Sequence, residues 1–182
     1  ELVVRIEKIA KSLNVGPGID RPEFGENMGA MVSEGQRDRA AQMVTDAIAQ
    51  GANVVTGGHK MNITGAFLEP TILTGVTSDM TIANEEVFGP VLSVLKFKSD
   101  DEAIEIANGT PYGLVAGVFT RDINRATNAA RRLRAGQVFV NEWYAGGVET
   151  PFGGYGLSGY GREKGREALW NYVQTKNVAI KL

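Results

Sequence analysis

The chain has 182 residues, enough for one sizeable core, with a formal net charge of −2, a single histidine and no cysteine. That balance excludes the basic stripe a nucleic-acid binder needs, and the missing thiols exclude disulfides, thiolate metal sites and a cysteine nucleophile within these residues. One histidine excludes a paired-histidine metal site, and no run approaches the roughly 18 apolar residues of a membrane span. With no basic-then-apolar leader at its start, the expectation is a cytoplasmic protein that binds neither nucleic acid nor membrane.

Leu2, Ile6, Ile9 and Leu13 recur at helical spacing, so the sequence opens inside an amphipathic helix with no cap before it, as if cut there. Glycines and prolines between Asn14 and Met31 then predict an irregular surface stretch. Ser33 and Gln36 stand at capping-box spacing before a helix whose apolar face is Ala40, Met43, Val44, Ala47 and Ile48, with Gln36 and Arg39 on its first turns. Gly51 stops it, and Val54-Val55-Thr56 is a short strand. His59 falls in a Gly-rich turn, where exposure is the ordinary outcome. Phe67 to Glu69 and Thr71 to Leu73 are extended segments split by Pro70, which argues against a central strand there.

The stretch Asn84-Glu85-Glu86-Val87-Phe88-Gly89-Pro90-Val91 organises the rest. Its Gly-Pro step restricts the backbone on both sides, so the acid and ring before it are held in place, as a ligand contact requires. Val91 to Phe97 is apolar almost throughout, the pattern of a strand covered on both faces. Ser99 and Glu102 cap the next helix, which ends at Asn108-Gly109. Strand Leu114 to Thr120, a helix carrying Ile123, Ala126, Ala130 and Leu133, and strand Val138 to Asn141 follow. Arg131, Arg132 and Arg134 close that helix as solvated cations at the negative end of its dipole. Alternating strands and helices with short links predict an α/β fold with a mainly parallel twisted sheet and helices on both faces. A helix beyond Arg162 and a terminal strand, apolar on the face of Val178, Ile180 and Leu182, complete the reading.

Gly154-Tyr155-Gly156-Leu157-Ser158-Gly159 fits the G-x-G-x-x-G pattern, but Pro151 and two glycines replace the strand such a turn needs, and no acid follows at ribose distance. A tight loop near a substrate is the better expectation.

Taken together, Glu85 to Val91, Tyr112-Gly113-Leu114 with Phe119-Thr120-Arg121-Asp122, Gly136-Gln137-Val138 with Val140-Asn141, and Pro151-Phe152-Gly153-Gly154 with Ser158-Gly159 and Gly161-Arg162-Glu163 resemble the aldehyde dehydrogenases in order and spacing. The similarity runs the length of the chain but covers only the C-terminal part of the family's pattern. In that family a cysteine thiolate attacks the aldehyde, hydride passes to NAD or NADP, and a glutamate activates the water that releases the acid. The resemblance implies that the cysteine, that glutamate and the Rossmann-like coenzyme domain lie upstream, so the chain alone holds no catalytic residue and is expected to be inactive.

The resemblance also assigns positions. Glu86 matches the ligand of the nicotinamide ribose, since an ionised carboxylate accepts both ribose hydroxyls. Phe88 matches the aromatic beside the nicotinamide ring, and Gln36 and Arg39 fall where the family contacts the adenosine ribose. Phe152 matches an aromatic wall of the aldehyde pocket, and Trp143, Tyr144 and Gly146 lie on the loop that shapes it. The competing readings are core packing for the aromatics and a solvated carboxylate for Glu86. Glu163 is read as a helix-start acid and Arg162 as structural. Residues 1–174 are then a catalytic domain truncated on its N-terminal side, and residues 175–182 an oligomerisation tail forming a homodimer or homotetramer. The alternative from another class is a non-catalytic structural or assembly module.

Overall fold

A computed structural model describes residues 1–18, 27–144 and 146–182. Part of the Asn14 to Met31 stretch, and Ala145, lie outside the described residues. Two compact units divide the chain, Glu1–Lys96 and Phe97–Leu182.

In the first unit, helix α1 (Leu2–Ser12) leads to β1 (Asn14–Val15), which pairs in parallel with β2 (Asn27–Met28). Helix α2 (Glu34–Ala49) starts at Ser33, whose hydroxyl accepts the Gln36 N–H at 3.1 Å and so satisfies one of the helix's orphan donors. Strands β3 (Asn53–Thr56), β4 (Thr71–Thr74) and β5 (Val91–Ser93) form a sheet in the order β3-β4-β5, with the single-turn helix α3 (Thr81–Asn84) between β4 and β5 in the chain. β4 runs antiparallel to β3 and parallel to β5. Met43, Val44 and Ala47 of α2 bury themselves with Ala52, Leu73, Val76, Met80 and Ile82 to make the core.

Two expectations change here. β4 is the central strand despite Pro70, because the proline stands one residue before it, where its missing N–H interrupts no ladder bond; the ladder starts with Thr71, whose N–H reaches the Pro90 carbonyl at 2.8 Å. β5 is three residues long and is not covered on both faces: Leu92 is exposed. Leu92 and Val91 instead line an open groove of about 340 Å³ with Ile6, Ile9 and Leu13, so the predicted apolar face of α1 stays largely uncovered in this chain.

In the second unit, α4 (Asp100–Asn108) is capped by Ser99, which accepts the Glu102 N–H, while the Glu102 carboxylate reaches back to the Lys98 N–H at 2.6 Å. β6 (Val115–Val118) and β7 (Gln137–Val140) pair in parallel across α5 (Ile123–Arg132), which Asp122 caps. Arg125 of α5 pairs with Asp100 and Arg132 with Asp101, fastening α5 to the start of α4. The Asn108 side chain brackets the other helix end, donating to the Arg132 carbonyl and accepting from the Arg134 N–H. The fold is therefore α/β with parallel pairing predominant, divided among small sheets rather than one continuous sheet.

The expected helix beyond Arg162 is only a 3-10 turn at Glu167–Tyr172. Lys164 and Gly165 adopt φ of 58° and 60°, left-handed values that a right-handed helix cannot contain. Glu163 consequently starts no helix. No terminal strand is seen in the single chain: residues 173–182 form no sheet pairing among the described residues, and Val178, Ile180 and Leu182 are exposed. A strand needs a neighbouring main chain to take its N–H and C=O groups, and none of the described residues supplies one. No described helix is long and apolar enough to cross a membrane.

Candidate functional site

The turn from Glu85 to Pro90 is built in the first unit by α2, α3 and β5. Asn84, ending α3, donates to the Ser78 and Met80 carbonyls, at 2.7 and 3.0 Å, and anchors the entry. Pro90 hands its carbonyl to β4, which anchors the exit. Between these points, Gln36 of α2 donates from Nε2 to the Val87 carbonyl at 2.8 Å and to the Phe88 carbonyl at 3.3 Å. Arg39, one turn on, donates to the Glu86 carbonyl at 3.1 Å and pairs with the Glu85 carboxylate at 3.2 Å. Gly89 lies over the fully buried Ala40, where a β-carbon would press on its methyl and on Met31.

This bracing holds Phe88 in an unusual state. Its φ is +50°, a left-handed value in which a β-carbon is crowded, and its ring is 76% exposed. A bulky aromatic strained and presented to solvent gains little from core packing within this chain, which argues against the packing alternative for this residue. The Glu86 carboxylate is exposed and has no hydrogen bond or ion pair to any described residue, although its backbone carbonyl is held. Its neighbour Glu85 is the ion-paired acid. All four residues assigned to the coenzyme from the sequence, Gln36, Arg39, Glu86 and Phe88, thus meet in one turn. An unpaired carboxylate beside an exposed ring fits a ribose diol and a flat heterocycle.

The second set lies in the Phe97–Leu182 unit. After β7, Asn141 takes φ of +56° and brackets Thr120, its Oδ1 accepting that residue's N–H and its Nδ2 donating to the carbonyl, each at 2.8 Å. This clamp ties the ends of β6 and β7 and launches the Trp143–Tyr144 loop. Both aromatics are more than half exposed and lean on buried Phe139, with ring centroids 6.2 and 6.4 Å away. Gly146, at φ of +110°, turns the loop back where a β-carbon would meet the Thr150 hydroxyl. Phe152 is held by a two-way bridge with Glu163, N–H to carbonyl at 2.7 Å in each direction.

The structure gathers Tyr144 and Phe152 around one side chain that sequence does not single out, while Trp143 leans on Phe139. Lys164 Nζ stands 5.7 Å from the Tyr144 ring centroid and 5.6 Å from that of Phe152. The only signal available was a lysine next to glycine in a Gly-rich segment, which is weak. Asn141 was visible only as a strand end. The Gly154–Gly159 loop is no phosphate cradle. The Tyr155 and Leu157 N–H groups point to the Gly113 and Pro111 carbonyls, and those of Ser158 and Gly159 close turns within the loop.

The fold is α/β, with a braced turn that presents an acid and a ring in the first unit and a set of exposed aromatics in the second, and comparison with known proteins gives the class. A sequence profile of the aldehyde dehydrogenase family matches residues 1–178. The mitochondrial aldehyde dehydrogenase of Leishmania tarentolae is 43% identical over 98% of this chain, and the rat cytosolic aldehyde dehydrogenase 1 is 40% identical over all of it. Among solved structures, the NAD-dependent aldehyde dehydrogenase of Sinorhizobium meliloti superposes with a TM-score of 0.89 at 40% identity over 96% of the chain. The NAD+ complex of the Bacillus cereus enzyme does so with a TM-score of 0.87 at 42% identity over 94%. The chain belongs to the aldehyde dehydrogenase family. It spans about a third of its relatives' length, 35% of the Leishmania protein and 34% of the Sinorhizobium chain.

Proposed function

We propose that this chain is the C-terminal portion of the catalytic domain of an NAD(P)-dependent aldehyde dehydrogenase, supplying the nicotinamide end of the coenzyme site and one wall of the aldehyde pocket. The reading rests on one observation above the others: an exposed, unpaired Glu86 carboxylate beside exposed Phe88, in a turn braced from behind by Gln36 and Arg39. Glu86 accepts the nicotinamide ribose hydroxyls, and Phe88 limits where the ring sits. Gln36 and Arg39 hold that geometry and face the adenosine side. Trp143, Tyr144, Gly146 and Phe152 enclose the aldehyde. When bound, the coenzyme supplies the hydride acceptor; these residues bind and orient, and the nucleophile comes from residues outside the chain, which has no cysteine. By this reading the isolated chain is inactive, and the intact protein works in the cytoplasm.

Glu86→Gln in the intact enzyme tests the assignment. Losing a charged hydrogen bond worth about 1.5–3 kcal/mol is expected to lower coenzyme-dependent turnover roughly tenfold to a hundredfold. Unchanged kinetics would remove Glu86 from the site.

A second reading, assembly, is favoured by the apolar side chains of Trp170, Tyr172, Val173, Val178, Ile180 and Leu182, all exposed in one copy. We propose that residues 175–182 add as a strand to another subunit, giving a homodimer or homotetramer. Sedimentation of the chain with and without residues 175–182 is expected to show association only with the tail; a strict monomer in both cases contradicts it.

A further inference from the structure

Lys164 sits where the proposed aldehyde pocket has only aromatic walls, and its surroundings leave its charge unanswered. Its left-handed backbone is fixed on both sides: Glu163 is locked to Phe152 by the two-way bridge, and the Gly165 N–H donates to the Val148 carbonyl at 2.8 Å. The side chain is half-buried, with Nζ at nearly equal distances from the Tyr144 and Phe152 rings. Two rings attract an ammonium but do not neutralise it. No carboxylate among the described residues lies within ion-pair distance. Glu149 of the same loop accepts the Gly147 N–H instead, and the other nearby cation, Arg162, is occupied over Tyr155 and by the Gly154 and Gly161 carbonyls.

We propose that Lys164 determines substrate charge, so that the aldehyde carries a carboxylate at its far end and the enzyme acts on short-chain semialdehydes of dicarboxylic acids. The inference rests on the pocket assignment of Phe152 and Tyr144. Tyr144 and Phe152 flank the alkyl chain while Nζ takes the terminal carboxylate, and the aldehyde end points away toward the reacting groups. The chemistry at that end is the family's own: aldehyde, NAD(P)+ and water give the acid, NAD(P)H and a proton. A quaternary ammonium tail, which aromatic walls alone would welcome, is repelled by the lysine.

The test uses the intact enzyme with succinate semialdehyde, butanal and betaine aldehyde as substrates, and Lys164→Met beside Lys164→Arg. The kcat/KM ratio of succinate semialdehyde to butanal is expected to fall roughly tenfold or more in Lys164→Met and to return in Lys164→Arg, while the ratio of betaine aldehyde to butanal rises. Equal loss on all three substrates, or ratios that do not move, would overturn the role of Lys164 and leave the dehydrogenase reading standing. Wild-type enzyme that oxidises none of the three with NAD or NADP would instead overturn the pocket assignment, and this inference with it.

Discussion

Phe88→Gly separates strain held for function from ordinary packing. In most buried positions, removing a phenylalanine side chain costs about 3–5 kcal/mol. Here the ring is 76% exposed, so about a quarter of it is covered. A quarter of a side chain offering roughly 200 Å² is about 50 Å², worth about 1 kcal/mol at 25 cal/mol per Å². Against that loss stands the relief of a β-carbon at φ of +50°, about 1–2 kcal/mol, less roughly 0.5–1 kcal/mol for the extra chain entropy glycine loses on folding. The two terms nearly cancel, so urea denaturation of the chain is expected to show a stability change within about 1 kcal/mol of zero. In the intact enzyme the same substitution removes the ring beside the nicotinamide and is expected to lower turnover at least about tenfold. A loss of about 3 kcal/mol or more in the denaturation assay would show that the ring packs structurally, and the argument from exposure and strain would fall.

Two further outcomes follow from the same geometry. Gly136→Ala places a methyl on the Gly153 carbonyl oxygen, backbone against backbone, so thermal unfolding is expected to show a loss of about 3 kcal/mol or displacement of the Pro151–Gly154 segment. The Asp100 carboxyl is held below its usual value by the hydrogen bond from Arg125, and Asp38 likewise by Lys60 and then Arg37. Carboxylates with lowered folded-state pKa add stability above the unfolded value and lose it as pH falls through the folded one. The unfolding midpoint is therefore expected to drop only below about pH 4, with a shallower drop in Asp100→Asn.

Local chemistry made much of this chain legible before its structure. The caps at Ser33 and Ser99 act as their spacing indicates, and the helices and strands from Glu34 to Val140 fall close to their periodic patterns. Glu86, Phe88, Gln36 and Arg39 were identifiable as a set, but their division of labour was not, because Gln36 and Arg39 act through backbone carbonyls that side-chain identity does not reveal. The misreadings have physical causes. The presence of Pro70 does not reveal its register, and a shift of one residue turns a strand breaker into a strand boundary. The helix after Arg162 failed because Lys164 takes a left-handed φ, which lysine rarely adopts and sequence does not announce. The tail satisfies the alternation of a strand, but alternation specifies a face and not a partner.

The central claim is that Glu86, not its ion-paired neighbour, holds the coenzyme. Steady-state kinetics of Glu86→Gln and Glu85→Gln in the intact enzyme, with coenzyme varied at saturating aldehyde, test it side by side. Glu85 contributes an exposed pair to Arg39 at 3.2 Å, so its neutralisation is expected to change kcat/KM for the coenzyme less than about fivefold. Glu86→Gln is expected to lower that constant roughly tenfold to a hundredfold. Equal effects at both positions, or the larger effect at Glu85, would contradict the account.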